Sequence, residues 1–434
     1  MGHLGVFTSL IGVTLGFATV HAFQPSWTAA CFWTKDFNSS DDSATDLCNH
    51  VIYEDVNASY QPSYEYHNID PNTLTLKAYD FDQDKGYKNV MRFKKRNPQV
   101  KVELSVGDWQ TPKQLYDIAR NETNRENFID SSIEFLEQHN FGGLHLVWGS
   151  PAPNAKKYFF NSAEAKREKE NLTYLLRELY GKLKSANLSF SFGIRGVLEI
   201  DCNMEVEEVY ANADLVFLYA YNYHGSWEES TGAFAPIYPG PQGSERVNSY
   251  YMTVDSTWES LEVWGGKPEK TVLVISAKGN PFNLTDISQH GINAPHESKK
   301  WLRPHDFNAI CKKQVEGNWT AVWDNTRKQS YMYRENVWIT YEDLCSVIEK
   351  KKYAREKTFR GLALKQLNRD DAKGDCAWRA LEKKVGKVYF NVTFPLLRVI
   401  AEDSMKNPCN SSWKNTFIET KLQLLLLVIL VKFS

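Results

Sequence analysis

Phe141-Gly142-Gly143-Leu144-His145-Leu146-Val147-Trp148-Gly149-Ser150-Pro151 is the stretch on which the reading of this chain turns. Its middle, Gly143–Trp148, is apolar apart from His145 and is bounded by glycines and a proline, which reads as a buried strand. Upstream, Asn127–His139 places Phe128, Ile129, Ile133, Phe135 and Leu136 at near-helical spacing, and Ala165–Ser185 behaves similarly downstream. Comparable strand patterns recur at Ala29–Thr34, His50–Glu54, Val100–Val106, Leu188–Ile194, Asp214–Tyr221, Thr271–Ser276 and Arg360–Leu364. Strand and helix alternating around the chain, with strands apolar throughout, predict an α/β fold: a (β/α)8 barrel whose parallel sheet is buried on both faces.

The alternation breaks between Phe282 and about Lys357. Asn318-Trp319-Thr320-Ala321-Val322-Trp323-Asp324, Tyr331-Met332-Tyr333 and Val337-Trp338-Ile339-Thr340-Tyr341 read there as short antiparallel strands of an α+β insertion, placed at 283–357 within a barrel domain of 23–400. Residues 1–22 read as a secretory signal peptide, with an apolar run from Leu4 to Val20 and a small-x-small site at Val20-His21-Ala22. At the other end, Asn410-Ser411-Ser412, a polar spacer and the apolar run Leu424–Val431 fit a GPI-attachment signal over 410–434; a frayed tail or a helix packed on the barrel is the other reading.

Composition agrees with secretion and narrows the partners. The chain has 434 residues, 42% of them hydrophobic, and a formal net charge of −2, which gives no basic stripe for nucleic acid. Nine Asn-x-Ser/Thr sequons occur, at Asn38, Asn57, Asn121, Asn171, Asn187, Asn283, Asn318, Asn391 and Asn410, a density that suits a glycosylated surface. The seven cysteines show no Cys-x-x-Cys spacing, so no metal site or other cofactor is expected and disulfides are. Their odd number leaves at least one thiol free, intermolecular or removed by processing. Thirteen Trp and 22 Tyr supply flat rings of the kind that stack on sugars, although most such rings serve as core.

The opening stretch closely resembles F-D-G-L-D-L-D-W-E-Y-P, the signature strand of family 18 glycoside hydrolases, the chitinases. Phe141, Gly143, Leu144, Leu146, Trp148 and Pro151 match it. Other segments follow the same family in order: Cys31 with Cys48-Asn49-His50-Val51-Ile52-Tyr53; Ser105-Val106-Gly107-Asp108-Trp109; Ala220-Tyr221-Asn222-Tyr223-His224-Gly225-Ser226-Trp227-Glu228; and Gly361 to Cys376. The likeness runs from about Ala29 to Cys376 and implies the barrel with its insertion. It also implies disulfides Cys31–Cys48 and Cys311–Cys376.

What the resemblance implies for chemistry is loss. In the family a Glu protonates the leaving oxygen, the substrate's own acetamide attacks the anomeric carbon, and neighbouring Asp residues orient and tune. Gly149 stands where that Glu belongs, and Gly142, His145 and Val147 stand where Asp residues belong. Removing one general acid typically costs about 10²–10⁴ in rate, so no enzyme activity is expected. His145 is a candidate to titrate near neutral pH from low in the barrel. Asp36, Asp108 and Glu228 are the carboxylates near the expected mouth, none at the position from which the family's acid acts.

Binding is a separate question. By resemblance Trp109, Tyr221, Asn222 and Trp227 line a carbohydrate cleft, although Lys365 replaces a cleft-floor Trp and Asp36 an N-terminal one. Lys365 is read as pairing with Asp108 or attracting an anionic ligand. The expected protein is a secreted, monomeric, catalytically silent member that recognises a chitin-like or other glycan, or signals through a cell-surface receptor. A weakly active glycosidase with relocated acids, and a surface-anchored structural or immune-facing protein, are the alternatives; contact with the membrane is expected only through the lipid anchor.

Overall fold

A computed structural model describes residues 27–34, 42–54, 69–70, 72–76, 86–108, 113–148, 163–196, 204–241, 251–298, 302–316, 318–374 and 393–403. The expected signal peptide and the possible lipid-anchor signal lie outside the described residues, as do Asp36, Trp109, Gly149, Cys202, Cys376, Cys409 and the sequons Asn38, Asn57, Asn391 and Asn410.

Eight parallel strands close into a barrel: β1 Thr28–Thr34, β2 His50–Glu54, β3 Lys101–Asp108, β4 Gly143–Trp148, β5 Ser189–Arg195, β6 Leu215–Tyr219, β7 Thr271–Ser276 and, after an insertion, the last strand Gly361–Lys365. That last strand lies between β7 and β1, registering Leu362 with Leu273 and with Ala29, and so joins the ends of the sheet. The (β/α)8 expectation is thus the observed fold. The insertion folds as an antiparallel sheet of β8 Lys278–Asn283, β9 His305–Asp306, β10 Thr320–Asp324, β11 Gln329–Arg334 and β12 Val337–Tyr341; the last barrel strand is accordingly β13. The sheet begins at Lys278, immediately beyond β7, ahead of the expected boundary at 283.

Side chains that alternate along each strand separate two cores. Leu144, Leu146 and Trp148 point outward into the layer shared with the helices, where Trp148 meets Tyr116 edge to face at 4.9 Å. Ala30, Phe32, Ile52, Phe217, Tyr219, Val272, Val274 and Ala363 fill the lumen. The helix Glu122–Gln138 starts five residues before its apolar pattern because Asn121 caps it, its Oδ1 accepting from Asn124 N at 3.0 Å. Cys31 and Cys48 form the expected disulfide. Cys311 and Cys345 are disulfide-bonded too, and Cys376, the partner expected for Cys311, lies outside the described residues.

The helix Leu344–Glu356, capped by Asp343, carries the chain from the insertion back to the barrel. At its start Glu342 and Lys350 form an ion pair at 2.8 Å with both side chains 1% exposed, and Ser346 Oγ donates to the same carboxylate. Among the described residues, no helix is long and apolar enough to cross a membrane.

Candidate functional site

Active sites of barrels of this architecture sit at the C-terminal ends of the strands. Here that rim is formed by Thr34, Glu54, Asp108, Trp148, Arg195, Tyr219, Ser276 and Lys365. Gly142 is at the opposite, N-terminal end, where its N–H donates to Val102 O at 2.7 Å and a Cβ would lie 3.8 Å from Lys94 Nζ. Of the residues singled out on the signature strand, Gly142 is therefore remote from any chemistry at the mouth.

His145 and Val147 face the lumen, opposite Gly193, where an added Cβ would sit 3.3 Å from each side chain. His145 is fully enclosed and bonded at both nitrogens: Nδ1 lies 2.7 Å from Ser191 Oγ and Nε2 3.0 Å from the Tyr219 hydroxyl. Ser191 donates its own proton to Glu103, so its oxygen must accept from Nδ1–H, leaving Nε2 to accept from Tyr219. The result is a neutral imidazole of fixed tautomer. Burial, then the positive charge of Lys365, holds its pKa well below the usual 6.5. The expectation of near-neutral titration is therefore corrected: desolvation of the charged form outweighs everything else in that pocket.

This sets a pH dependence. In the unfolded chain a histidine takes up a proton below about pH 6.5, whereas folded His145 does not. Its contribution to stability is therefore complete above that value and is lost as pH falls below it, by up to about 1.4 kcal/mol per pH unit. Asp370, raised to about 7 by burial, acts in the opposite sense and loses its contribution as pH rises toward that value. Comparing melting temperatures of wild type and His145→Gln from about pH 7.5 to 5 cancels Asp370, since both proteins carry it. The variant should show the shallower fall; equal slopes would mean that His145 is protonated inside the barrel.

Lys365 pairs with Glu54, and the side chain of Asp108, the partner expected for it, lies outside the described residues. The Lys365 ammonium meets Glu54, only 4% exposed, and lies 4.7 Å from the Phe32 ring centre and 5.2 Å from that of Tyr219. The pairing with Glu54 follows from barrel closure. β13 lies beside β1, and β2 is the next strand, so the C-terminus of β2 is nearer to β13 than that of β3. Glu54 Oε2 has no hydrogen-bond partner among the described residues. Glu54 and the buried Glu103, which accepts from Ser189 and Ser191 and lies 3.3 Å from His50, were not anticipated as site residues. Strand alternation carried the signal: His50, Ile52 and Glu54 share one face, as do Glu103 and Ser105.

Replacing Lys365 by Trp, to rebuild an aromatic floor, would leave Glu54 buried and charged without its partner. Lys365→Trp alone should destabilise the fold by about 3–5 kcal/mol, and Lys365→Trp with Glu54→Gln by much less, as read by urea unfolding. Equal losses would mean that the pair is solvated.

The loop after β6 carries the expected sugar-binding residues. Tyr221 is half-buried and stacked on Phe234 at 5.9 Å. Asn222 is exposed with φ of 60°, a left-handed conformation that Asn tolerates, and its Oδ1 accepts from Asn280 Nδ2 at 2.7 Å. Trp227 is 53% exposed and its ring lies so close to Gly225 that a Cβ there would fall 2.1 Å from it. Glycine at 225 is thus needed to seat the ring. Glu228, a candidate relocated acid, is held by His224 Nδ1 at 2.8 Å. No cluster of His, Cys, Asp or Glu able to hold a metal occurs among the described residues. Of the described sequons, Asn121, Asn187 and Asn318 are exposed, and Asn171 and Asn283 partly so.

Comparison with known proteins agrees with this geometry. The model of the glycosyl hydrolases family 18 matches residues 28–370. Probable chitinase 10 of Drosophila melanogaster is 28% identical over 353 residues, which cover 77% of this chain but 14% of that much longer protein. Human chitinase-3-like protein 2 is 26% identical over 76% of this chain and 81% of its own. The solved structure of human YKL-39, described as a pseudo-chitinase with retained chitooligosaccharide binding properties, superposes with a TM-score of 0.70 at 22% identity, covering 86% of this chain and 98% of that one.

Proposed function

The chain belongs to glycosyl hydrolase family 18, and from that premise we propose that it is a secreted recognition protein that binds an N-acetylglucosamine oligosaccharide across the barrel mouth without hydrolysing it. The observation that carries this reading is the composition of β4 and the residue after it. The strand turns His145 and Val147 into the lumen and is followed by Gly149, so it offers no carboxylate to protonate a glycosidic oxygen.

Three further points support it. The one titratable group on β4 is neutral and bonded at both nitrogens, which removes it as a proton donor at the mouth. Glu228 is tied to His224, and relocated acid chemistry needs a carboxyl free to reach the scissile oxygen. Part of the aromatic surface is kept: Tyr221 and exposed Trp227 stand on the β6 loop, although Lys365 and Asp36 replace two cleft rings. Human YKL-39, on the same fold, is described as a pseudo-chitinase that retains such binding.

Tryptophan fluorescence titration of the full chain with N-acetylglucosamine oligomers tests the binding half. A saturable change is expected, weakened about tenfold in Trp227→Ala, the equivalent of losing one stacked ring at roughly 1–1.5 kcal/mol. An unresponsive protein at millimolar sugar would remove the glycan reading and leave a protein receptor as the object of recognition.

A further inference from the structure

Lys278 stands where the barrel meets the insertion. It follows the C-terminal end of β7 by two residues, and Ala277 between them donates its N–H to Lys365 O at 3.1 Å, which fixes this turn on the rim. Two residues on, along the same face of β8, Asn280 donates to Asn222 Oδ1 and to His224 O, both at 2.7 Å. Lys278 therefore borders the loop that carries Tyr221, Asn222 and Trp227.

The charges around it are already matched, and its own is not. Lys365 is paired with Glu54, and Arg369 with Asp306, the backbone partner of Lys278 in the β8–β9 ladder. Lys278 is half-buried and, among the described residues, makes no ion pair or side-chain hydrogen bond. Burial, with Arg369 and Lys365 nearby and only partly offset by Asp306 and Glu54, lowers its pKa to about 8. An ammonium in that position lacks the counter-ion that partly buried charges normally have. Glu54 Oε2 supplies the complementary need, a buried acceptor without a donor among the described residues.

We propose that the barrel mouth prefers an acidic saccharide, whose carboxylate or sulfate is received by Lys278 and one of whose hydroxyls is received by Glu54. The inference rests on the proposed sugar-binding reading and specifies its ligand. A free inorganic anion fits less well, because it would meet the Glu54 carboxylate without a hydroxyl to donate. A neutral chitin oligomer would satisfy Glu54 and the rings but leave Lys278 desolvated and unpaired. Stacking on Tyr221 and Trp227 then selects for a sugar, and Lys278 for its charge.

The test is calorimetric titration of the full-length protein with three oligomers of similar length: neutral N-acetylglucosamine, the same sugar carrying 6-sulfates, and hyaluronan, which alternates N-acetylglucosamine with a carboxylate sugar. At least one acidic oligomer should bind about tenfold tighter than the neutral one, equivalent to roughly 1.4 kcal/mol. The arm that binds tighter identifies sulfate or carboxylate as the group received. Lys278→Gln should abolish that preference, Lys278→Arg should keep most of it, and affinity for the neutral oligomer should change less than about twofold in either. If neutral and acidic oligomers bind equally, or if Lys278→Gln keeps the acidic preference, this inference is overturned while sugar binding stands. If wild type binds none of the three, both fall. A misfolded Lys278→Gln would leave the wild-type comparison and Lys278→Arg to decide.

Discussion

Incubated with a fluorogenic N-acetylglucosamine oligomer, the purified protein should release fluorophore no faster than buffer alone, and Gly149→Glu should leave it there. A missing general acid accounts for about 10²–10⁴ of the rate, which a restored Glu could return only if its neighbours still oriented the substrate. They do not. Val147 has no charge to hold an acetamide, and Asn222, where the resemblance expects Asp, has its side-chain oxygen bound by Asn280. Groups that act as a unit lose and regain activity together, so the single restoration yields little. Restoring Asp at 145 as well would place a carboxylate between Ser191 and Tyr219 in a pocket built for a neutral ring. A rise of more than about tenfold from Gly149→Glu alone would mean that the remaining site is intact and that only its acid was lost.

The second large effect concerns the junction of insertion and barrel. Glu342→Gln should lower unfolding stability by about 3–5 kcal/mol, because Lys350 would be left charged and 1% exposed. That is a large part of the roughly 5–15 kcal/mol that holds a folded domain. The double change Glu342→Gln with Lys350→Met should recover most of the loss, since two well-packed neutral residues avoid the desolvation of both ions. Urea midpoints for the two variants decide it. A loss below about 1 kcal/mol in Glu342→Gln would place the pair among solvated surface bridges.

The barrel was legible because its strands are apolar throughout and therefore stand out from the amphipathic helices between them. Gly143–Trp148 and His50–Glu54 match the expected bounds. The sixth strand was read two residues too long, to Tyr221; it stops at Tyr219, and the left-handed backbone of Asn222 turns the chain away soon after. At the site, the family likeness pointed to the β6 loop, where Tyr221, Asn222 and Trp227 are found. Side-chain partnerships were not legible. Glu54 and Lys365 are separated by 311 positions and meet only because the sheet closes. Lys278 carried no signal at all: it is a lone charge at a strand start, and its exceptional position comes from two other cations arriving from β13 and the turn after it. Linear pattern encodes periodicity well and encodes encounters across a closed barrel poorly.

Recognition without cleavage is the central claim, and one measurement reads both halves. The full-length protein is mixed with N-acetylglucosamine hexamer, held for several hours, and examined by native mass spectrometry. The predicted spectrum is a complex of protein with one intact hexamer, unchanged over the incubation and reduced in Trp227→Ala. Shorter oligomers accumulating in the mixture would contradict the loss of catalysis, and a spectrum of free protein at every sugar concentration would contradict the binding.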